Sequence, residues 1–167
     1  MRERPPAGGK AGGGSEAVKT VATNRRAFHE YNVEERLEAG IALTGTEVKS
    51  LREGRASLVD GYVAVEGREA WLWNVHVPPY AAGSWNNPDP KRKRKLLLHR
   101  REIDRLAGKI QRSGATCIPL SVYFRGSRAK VQIALVTGKK LRDKRETIRR
   151  READREARAA IKSASRR

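Results

Sequence analysis

Between residues 61 and 77 the sequence GYVAVEGREAWLWNVHV alternates apolar and polar positions with the period that suits a half-buried strand. The alternation breaks at Gly67-Arg68, so the stretch predicts a β-hairpin with Val63 and Val65 on one arm and Trp71, Trp73, Val75 and Val77 on the other. A second hairpin is predicted where ATCIPLSVYF and RAKVQIALV flank Gly126-Ser127, a pair suited to a tight turn, with Gly138 closing the unit. LEAGIALT (37–44) predicts one further strand with a glycine inside it. Helical signals are fewer. TGTEVKSLREG (44–54) reads as a short helix in which Thr44 and Glu47 form a capping box and Gly54 supplies the stop. In HRREIDRLAGKIQR, Ile103, Leu106, Ala107 and Ile110 recur at the spacing of one helix face. Many short strands with two short helices predict a mainly β fold, a small closed or partly closed antiparallel barrel. An OB-like barrel is one such solution, and periodicity alone does not select it.

Both ends of the chain lack this patterning. Residues 1–20, rich in glycine with Pro5 and Pro6, are expected to be a flexible arm that cannot bury enough surface to offset its ordering entropy. Residues 138–167 hold thirteen Lys/Arg against five Asp/Glu and only Leu141, Ile148 and Ile161 as large apolar residues, so they form a basic tail without a core. The expected domains are therefore the arm at 1–20, the barrel at 21–137 and the tail at 138–167. The segment 78–95 is too rich in Pro and Asn for regular structure and ends in five consecutive cations, Lys91, Arg92, Lys93, Arg94 and Lys95.

Charge narrows the function. The 167-residue chain carries a net charge of +18, shared between barrel and tail, which points to an anionic partner and first to nucleic acid. KRKRKLLLHRR (91–101), together with Arg125, Arg128 and Lys130 on the second hairpin, supplies the cations for a phosphate-binding surface. No apolar stretch is long enough for a membrane span, and no secretory leader is evident at the N-terminus, so a cytoplasmic protein with no membrane partner is expected. Catalysis and metal binding find no support. His29, His76 and His99 lack metal-ligand spacing, there is no phosphate loop or nucleophile elbow, and the single Cys117 sits in an apolar run as a core residue. Neither a catalytic residue, a cofactor nor a small-molecule substrate is expected. Glu30, Glu34, Glu35 and Glu38 read, on composition alone, as a solvated face.

Three separated motifs carry more information. NRRAFHEYNVEERLEAGIALTGTEVKSLREG (24–54), RKLLLHRREIDRL (94–106) and GKKLRDKR (138–145) together resemble the SmpB family, the SsrA-binding proteins that partner transfer-messenger RNA in bacteria. The resemblance covers roughly residues 21 to 150. It implies an OB-like antiparallel barrel with short flanking helices and a basic tail that is disordered when free and helical when bound. It also implies an adaptor, not an enzyme, that binds the tRNA-like domain of transfer-messenger RNA. The adaptor would deliver that RNA to the small-subunit decoding site and mRNA channel of stalled ribosomes for trans-translation. A structural ribosomal protein, a general structured-RNA-binding protein and a metal-independent RNA-processing enzyme are the alternatives.

Carried over position by position, the family's RNA-contact residues fall on Asn24, Glu38, Leu97 and Lys130. A carboxylate such as Glu38 is repelled by phosphate and is best explained by accepting hydrogen bonds from base amino or imino groups, while Leu97 would pack against an unstacked base. In the tail, Lys139, Lys140, Asp143, Lys144 and Arg145 are expected to fix its entry near the decoding site, followed by Arg149, Arg150 and Arg151 along a basic helix. Arg142 occupies a slot where the family often has histidine or an aromatic residue, and a guanidinium can stack through its planar face.

Overall fold

The apolar runs at 116–125 and 128–138 pair along their whole length, from Thr116↔Val136 to Arg125↔Arg128, and this hairpin is the spine of the structure. The structure, a computed structural model, describes residues 17–164, with only the backbone described at Ser84, 141–144, 160, 163 and 164. In chain order the elements are β1 (Val18–Thr23), α1 (Arg25–Glu30), β2 (Tyr31–Ile41), α2 (Gly45–Arg52), β3 (Tyr62–Glu66), β4 (Glu69–Trp73), a 3-10 turn (Ala81–Asn86), β5 (Arg94–Leu97), α3 (Arg100–Ser113), β6 (Thr116–Arg125), β7 (Arg128–Gly138) and α4 (Leu141–Ala164). All strand pairings are antiparallel. They run β6-β3-β4-β5-β2-β7 and return to β6, so six strands form a ring, with β1 added outside on β6. The ring is narrow at two seams: Val63↔Cys117 alone joins β3 to β6, and Gly40↔Leu97 with Ile41↔Leu96 joins β2 to β5.

Inside the ring Leu72, Leu96, Val122, Val131, Ile133 and Leu135 are fully buried, joined by Leu51 of α2 and Leu106 of α3, which plug it from outside the sheet. β6 is buried on both faces because α1 lays Ala27 and Phe28 over Ile118, Leu120, Ala134 and Val136. Pro119, which cannot donate to the ladder, sits where the β6–β7 register shifts. The local signals read from the sequence hold. Thr44 and Glu47 close the capping box, Gly54 ends its helix at φ 77°, and the two hairpins turn at Gly67-Arg68 and Gly126 with positive φ. Ile103 and Leu106 face the core, with Ile110 packed beside them.

Two expectations, for residues 18–20 and for 78–95, need correction, and two further features were not read from patterning. Val18–Thr20, placed in the flexible arm, form half of β1 and pair with Tyr123–Arg125; residues 1–16 of that arm lie outside the described residues. The 25–30 segment, left unassigned by patterning, is a helix capped by the Asn24 side chain, which accepts from the Ala27 amide at 3.2 Å. Trp71 and Trp73 are half-buried and face outward, whereas Ala70 and Leu72 face the core. The phase changes at Asn74, whose φ of 59° flips the chain so that Val75 and Val77 return inward. Finally, the Pro/Asn-rich segment is not wholly irregular, since it holds the 3-10 turn and gives Arg94 and Lys95 to β5.

The tail is a single 24-residue helix, about 36 Å long at ~1.5 Å per residue. Apart from Thr147, its described side chains are exposed. Among the described residues, no helix is long and apolar enough to cross a membrane.

Candidate nucleic-acid interface

The exposed side of β2 carries Glu38, and the pairing of β2 with β7 sets Gly40 opposite Lys130. A glycine there leaves the Lys130 side chain free to reach diagonally, and its ammonium lies 3.7 Å from Glu38 Oε1. From β6, Arg125 grips the same carboxylate with both terminal nitrogens, at 3.1 Å to Oε1 and 3.0 Å to Oε2, and the Tyr123 hydroxyl donates to Oε2. Partial burial and then the neighbouring Glu38 charge push the Tyr123 phenol up to about 12, so it stays a donor at neutral pH. Glu38 is thus gripped by three residues through four donor atoms, which match the roughly four acceptor directions of a carboxylate. The knot fixes two cations at the surface, and a further donor enters by replacing its longest contact, Lys130 at 3.7 Å.

On the other edge of Gly40 lies Leu97. A Cβ built on Gly40 would stand 3.1 Å from Leu97 Cβ, so glycine is what allows this close approach. Leu97 is 57% exposed in a strand whose neighbours Arg94 and Leu96 are buried. Gly40, Ile41, Leu97, Arg128, Ala129 and Lys130 line a shallow groove of about 380 Å³, apolar along one wall and cationic along the other. The groove has the chemistry to hold the face of a base while its backbone phosphate meets Arg128 or Lys130. Three of the four carried-over positions, Glu38, Leu97 and Lys130, therefore converge.

The fourth does not. Asn24 is buried, capping α1 with its carbonyl and donating from Nδ2 to the Leu58 and Pro119 carbonyls, each at 3.2 Å. Its carbonyl oxygen and amide nitrogen are thus engaged within the fold, away from the Leu97–Lys130 groove.

The 91–95 run is also less uniform than its sequence suggests. Arg94 is fully buried, bonding Glu47 Oε1 from Nε at 2.8 Å and the Val75, Arg92 and Pro90 carbonyls from its terminal nitrogens. Arg92 takes both oxygens of the same Glu47, at 3.0 and 2.6 Å. Burial would raise the Glu47 carboxyl, but the hydrogen bonds from Arg92 and the Thr44 amide and the charge of Arg94 outweigh it and hold the group below the usual carboxylate range. Burial in turn lowers the Arg94 guanidinium against the opposing pull of Glu47. Lys93 pairs with Glu66 and lies over the Trp71 and Trp73 rings, and Lys95 pairs with Glu69. Arg94 is therefore withdrawn from any phosphate contact, and Arg92, Lys93 and Lys95 reach a phosphate only by sharing their carboxylates. Lys91, exposed at the loop's end, is the member of the run with no ion pair among the described residues.

The carboxylates expected as a solvated face are partly engaged as well: Glu35 pins α3 to the barrel through Arg105 and Lys109, and Glu30 pairs with Arg26. At the tail's root, Lys139 donates from its backbone to the Glu30 carbonyl and from Nζ to the Phe28 carbonyl, each at 3.0 Å. Lys139 is an anchor against the end of α1. The side chains of Arg142, Asp143 and Lys144 lie outside the described residues, while Arg145, Arg149, Arg150 and Arg151 are exposed. Arg151 approaches the His29 ring. Sequence reasoning missed Tyr123 as a partner of Glu38, and missed Glu47 as counter-ion, its capping signature having accounted for it already.

A family model described as SmpB protein matches residues 21–163. An SsrA-binding protein from Leifsonia xyli subsp. xyli is 57% identical over 145 residues, covering 87% of this chain and 92% of its own length. Another, from Streptomyces avermitilis, is 52% identical over 163 residues, covering 94% and 92%. Among solved structures, a chain of one described as "tmRNA-SmpB: a journey to the center of the bacterial ribosome" is 47% identical and superposes with a TM-score of 0.63, over 77% of this chain and 94% of that one.

Proposed function

This chain belongs to the SmpB family, and from that premise we propose that it binds the tRNA-like domain of transfer-messenger RNA and delivers it to stalled ribosomes for trans-translation. The observation that carries the reading within this chain is that Leu97 and Lys130 line one groove while Glu38 stands beside it, 3.7 Å from the Lys130 ammonium, although the three come from three different strands. An apolar wall for a base, a cationic wall for phosphate and a carboxylate whose longest contact, to Lys130, a base donor can replace together suit a structured RNA with an unpaired loop. Bulk phosphate binding would need the cations alone.

The units divide the work. The barrel, from Val18 to Lys139, holds the RNA, and the helix beyond it engages the small-subunit decoding site and mRNA channel through Lys140, Arg145, Arg149, Arg150 and Arg151. Away from the ribosome the helix has almost no packing to hold it, and short isolated helices are poorly populated in water. It therefore orders fully only against phosphate. The protein is an RNA-binding adaptor of the cytoplasm, and this reading assigns it no catalytic step. It is supported by the placement of the one cysteine: burial pushes the Cys117 thiol up to about 12.

Sequencing the RNA that co-purifies with the chain from its own cell tests the proposal. One dominant species with tRNA-like ends is expected. Bulk ribosomal RNA in its place, persisting after a high-salt wash, would make the chain a ribosomal component instead.

A further inference from the structure

Residues 78–93 leave the barrel after Val77 and come back to it in a closed excursion. Its base is sealed by the Val77 amide donating to the Pro90 carbonyl at 3.0 Å. Further out, Asn87 imitates a backbone partner: Oδ1 accepts from the Tyr80 amide and Nδ2 donates to the Tyr80 carbonyl, both at 3.0 Å. Gly83 packs so tightly on this clamp that a Cβ would meet Asn87 Oδ1 at 2.8 Å. The excursion also rests on α2, where Ser50 donates to the Pro78 carbonyl and the Lys49 ammonium stands 5.5 Å from the Tyr80 ring centre. Yet the turn built on this support, Ala81–Asn86, holds Trp85 88% exposed. Tryptophan is among the more buried residue types on average, so a clamped loop that keeps an indole in water is an unexplained cost within the free chain.

The position of the loop narrows the partner. α2 follows the end of β2 that carries Gly40, and Arg52 of α2 stands 5.9 Å from the Phe124 ring beside the Arg125–Arg128 turn. The Trp85 loop, α2 and the Glu38–Lys130 groove thus share one end of the barrel, while the tail root at Gly138 pairs with Tyr31 at the other. The loop's return and the helix it rests on carry Lys49, Arg52 and Lys91, exposed or half-exposed, and Asp89 of the loop is tied to the Lys91 amide. Among the described residues, Trp85 is the one large exposed apolar side chain of the loop. A protein hot spot is normally ringed by further contacts that exclude water. A single flat ring on a clamped loop, carried by a helix with exposed cations, suits base stacking instead.

We propose that Trp85 is a stacking platform for an unpaired base of the tRNA-like domain of transfer-messenger RNA, a contact separate from the Glu38–Leu97–Lys130 groove and held in place by the Asn87–Tyr80 clamp. The inference rests on the proposed function for the identity of the RNA.

The test measures the affinity of the isolated tRNA-like domain for the full chain and for Trp85→Ala, Trp85→Leu and Trp85→Phe. Removing one base–aromatic stack should weaken binding by roughly tenfold or more. Trp85→Ala is expected to lose that factor with an unchanged salt slope, because no phosphate contact is lost. Trp85→Phe should retain most of the affinity, and Trp85→Leu, apolar but not planar, should resemble alanine. In a Trp71→Phe/Trp73→Phe background the remaining indole emission should be quenched on adding the RNA. Equal affinity of Trp85→Ala and the unaltered chain overturns the proposal, as does full rescue by leucine. A defect confined to ribosome association would reassign the indole to a ribosomal partner and equally overturn it. If the unaltered chain itself fails to bind the RNA, the proposed function has failed, which separates the two outcomes.

Discussion

Replacing Glu47 by Gln tests whether the cationic run is held in shape by one carboxylate. Glutamine keeps the volume and can still accept from the Thr44 amide, so the capping box survives and the change isolates the charge. What it removes is the counter-ion of a fully buried guanidinium and of the partly buried one beside it. Breaking a buried pair from one side costs ~3–5 kcal/mol, because the remaining charge is left uncompensated. The lower end applies here, since Arg94 also donates to three carbonyls and the glutamine oxygen keeps one neutral bond. A loss of ~3 kcal/mol is a large share of a total stability of ~5–15 kcal/mol. For a chain of this length it should lower Tm by ~6–12 °C. Thermal unfolding followed by circular dichroism reads this directly. The pH dependence is fixed in sign. Because the folded-state carboxyl lies below its ordinary value, its contribution is fully present above about pH 4.3 and fades as the pH falls through the depressed value. The gap between the two proteins should therefore close on acidification. In an Arg94→Met background the same Glu47→Gln change should cost less than ~1 kcal/mol, since no buried guanidinium then lacks its partner. An equal cost in both backgrounds would refute the ion-pair argument and leave Glu47 as a helix cap only.

Two further outcomes follow from the geometry. Leu97→Ala should weaken binding to the tRNA-like domain by ~1–2 kcal/mol, the worth of an apolar side chain buried against a base, while Tm stays within a degree or two because Leu97 is exposed in the free chain. A loss of stability equal to the loss of affinity would instead make Leu97 a packing residue. Deleting residues 1–16 should leave both stability and RNA affinity unchanged, whereas deleting residues 1–20 removes half of β1 and should lower Tm measurably. Identical melting of the two truncations would contradict the pairing of Val18–Thr20 with β6.

What was legible in the sequence was what depends on neighbours in sequence. The capping box at Thr44 and Glu47 and the turns at Gly67-Arg68 and Gly126 are decided within a few residues, and each was found where expected. α1 was not read because it is one short helix with a single buried position, Ala27, and the Asn24 that caps it is held in place by the Leu58 and Pro119 carbonyls, which sequence order does not place nearby. The facing of the second hairpin arm could not be read for a different reason: one residue at positive φ, Asn74, changes the phase of an otherwise regular alternation, so Trp71 and Trp73 face outward while Val75 and Val77 face the core. In the candidate site, the resemblance located Glu38, Leu97 and Lys130, but nothing local tells that Lys130 stands opposite a glycine or that Tyr123 and Arg125 close on Glu38 across the sheet. The run at 91–95 read as a uniform positive patch because Glu47, Glu66 and Glu69, which neutralise most of it, lie 26 to 47 residues away.

The central claim is that the barrel holds the RNA while the tail addresses the ribosome. A chain ended after Lys140 tests it most directly, because that cut removes α4 yet keeps the Lys139 bonds to the Phe28 and Glu30 carbonyls that close the barrel. Two quantities are measured on the same preparation: affinity for the tRNA-like domain, and peptide tagging on ribosomes stalled at the end of a message. Affinity within about twofold of the full chain is expected, because a helix with no role in holding this RNA should leave its binding near the limit of a surface change, together with loss of tagging. A parallel fall in both, or full restoration of tagging by a scrambled tail of the same composition, would contradict it.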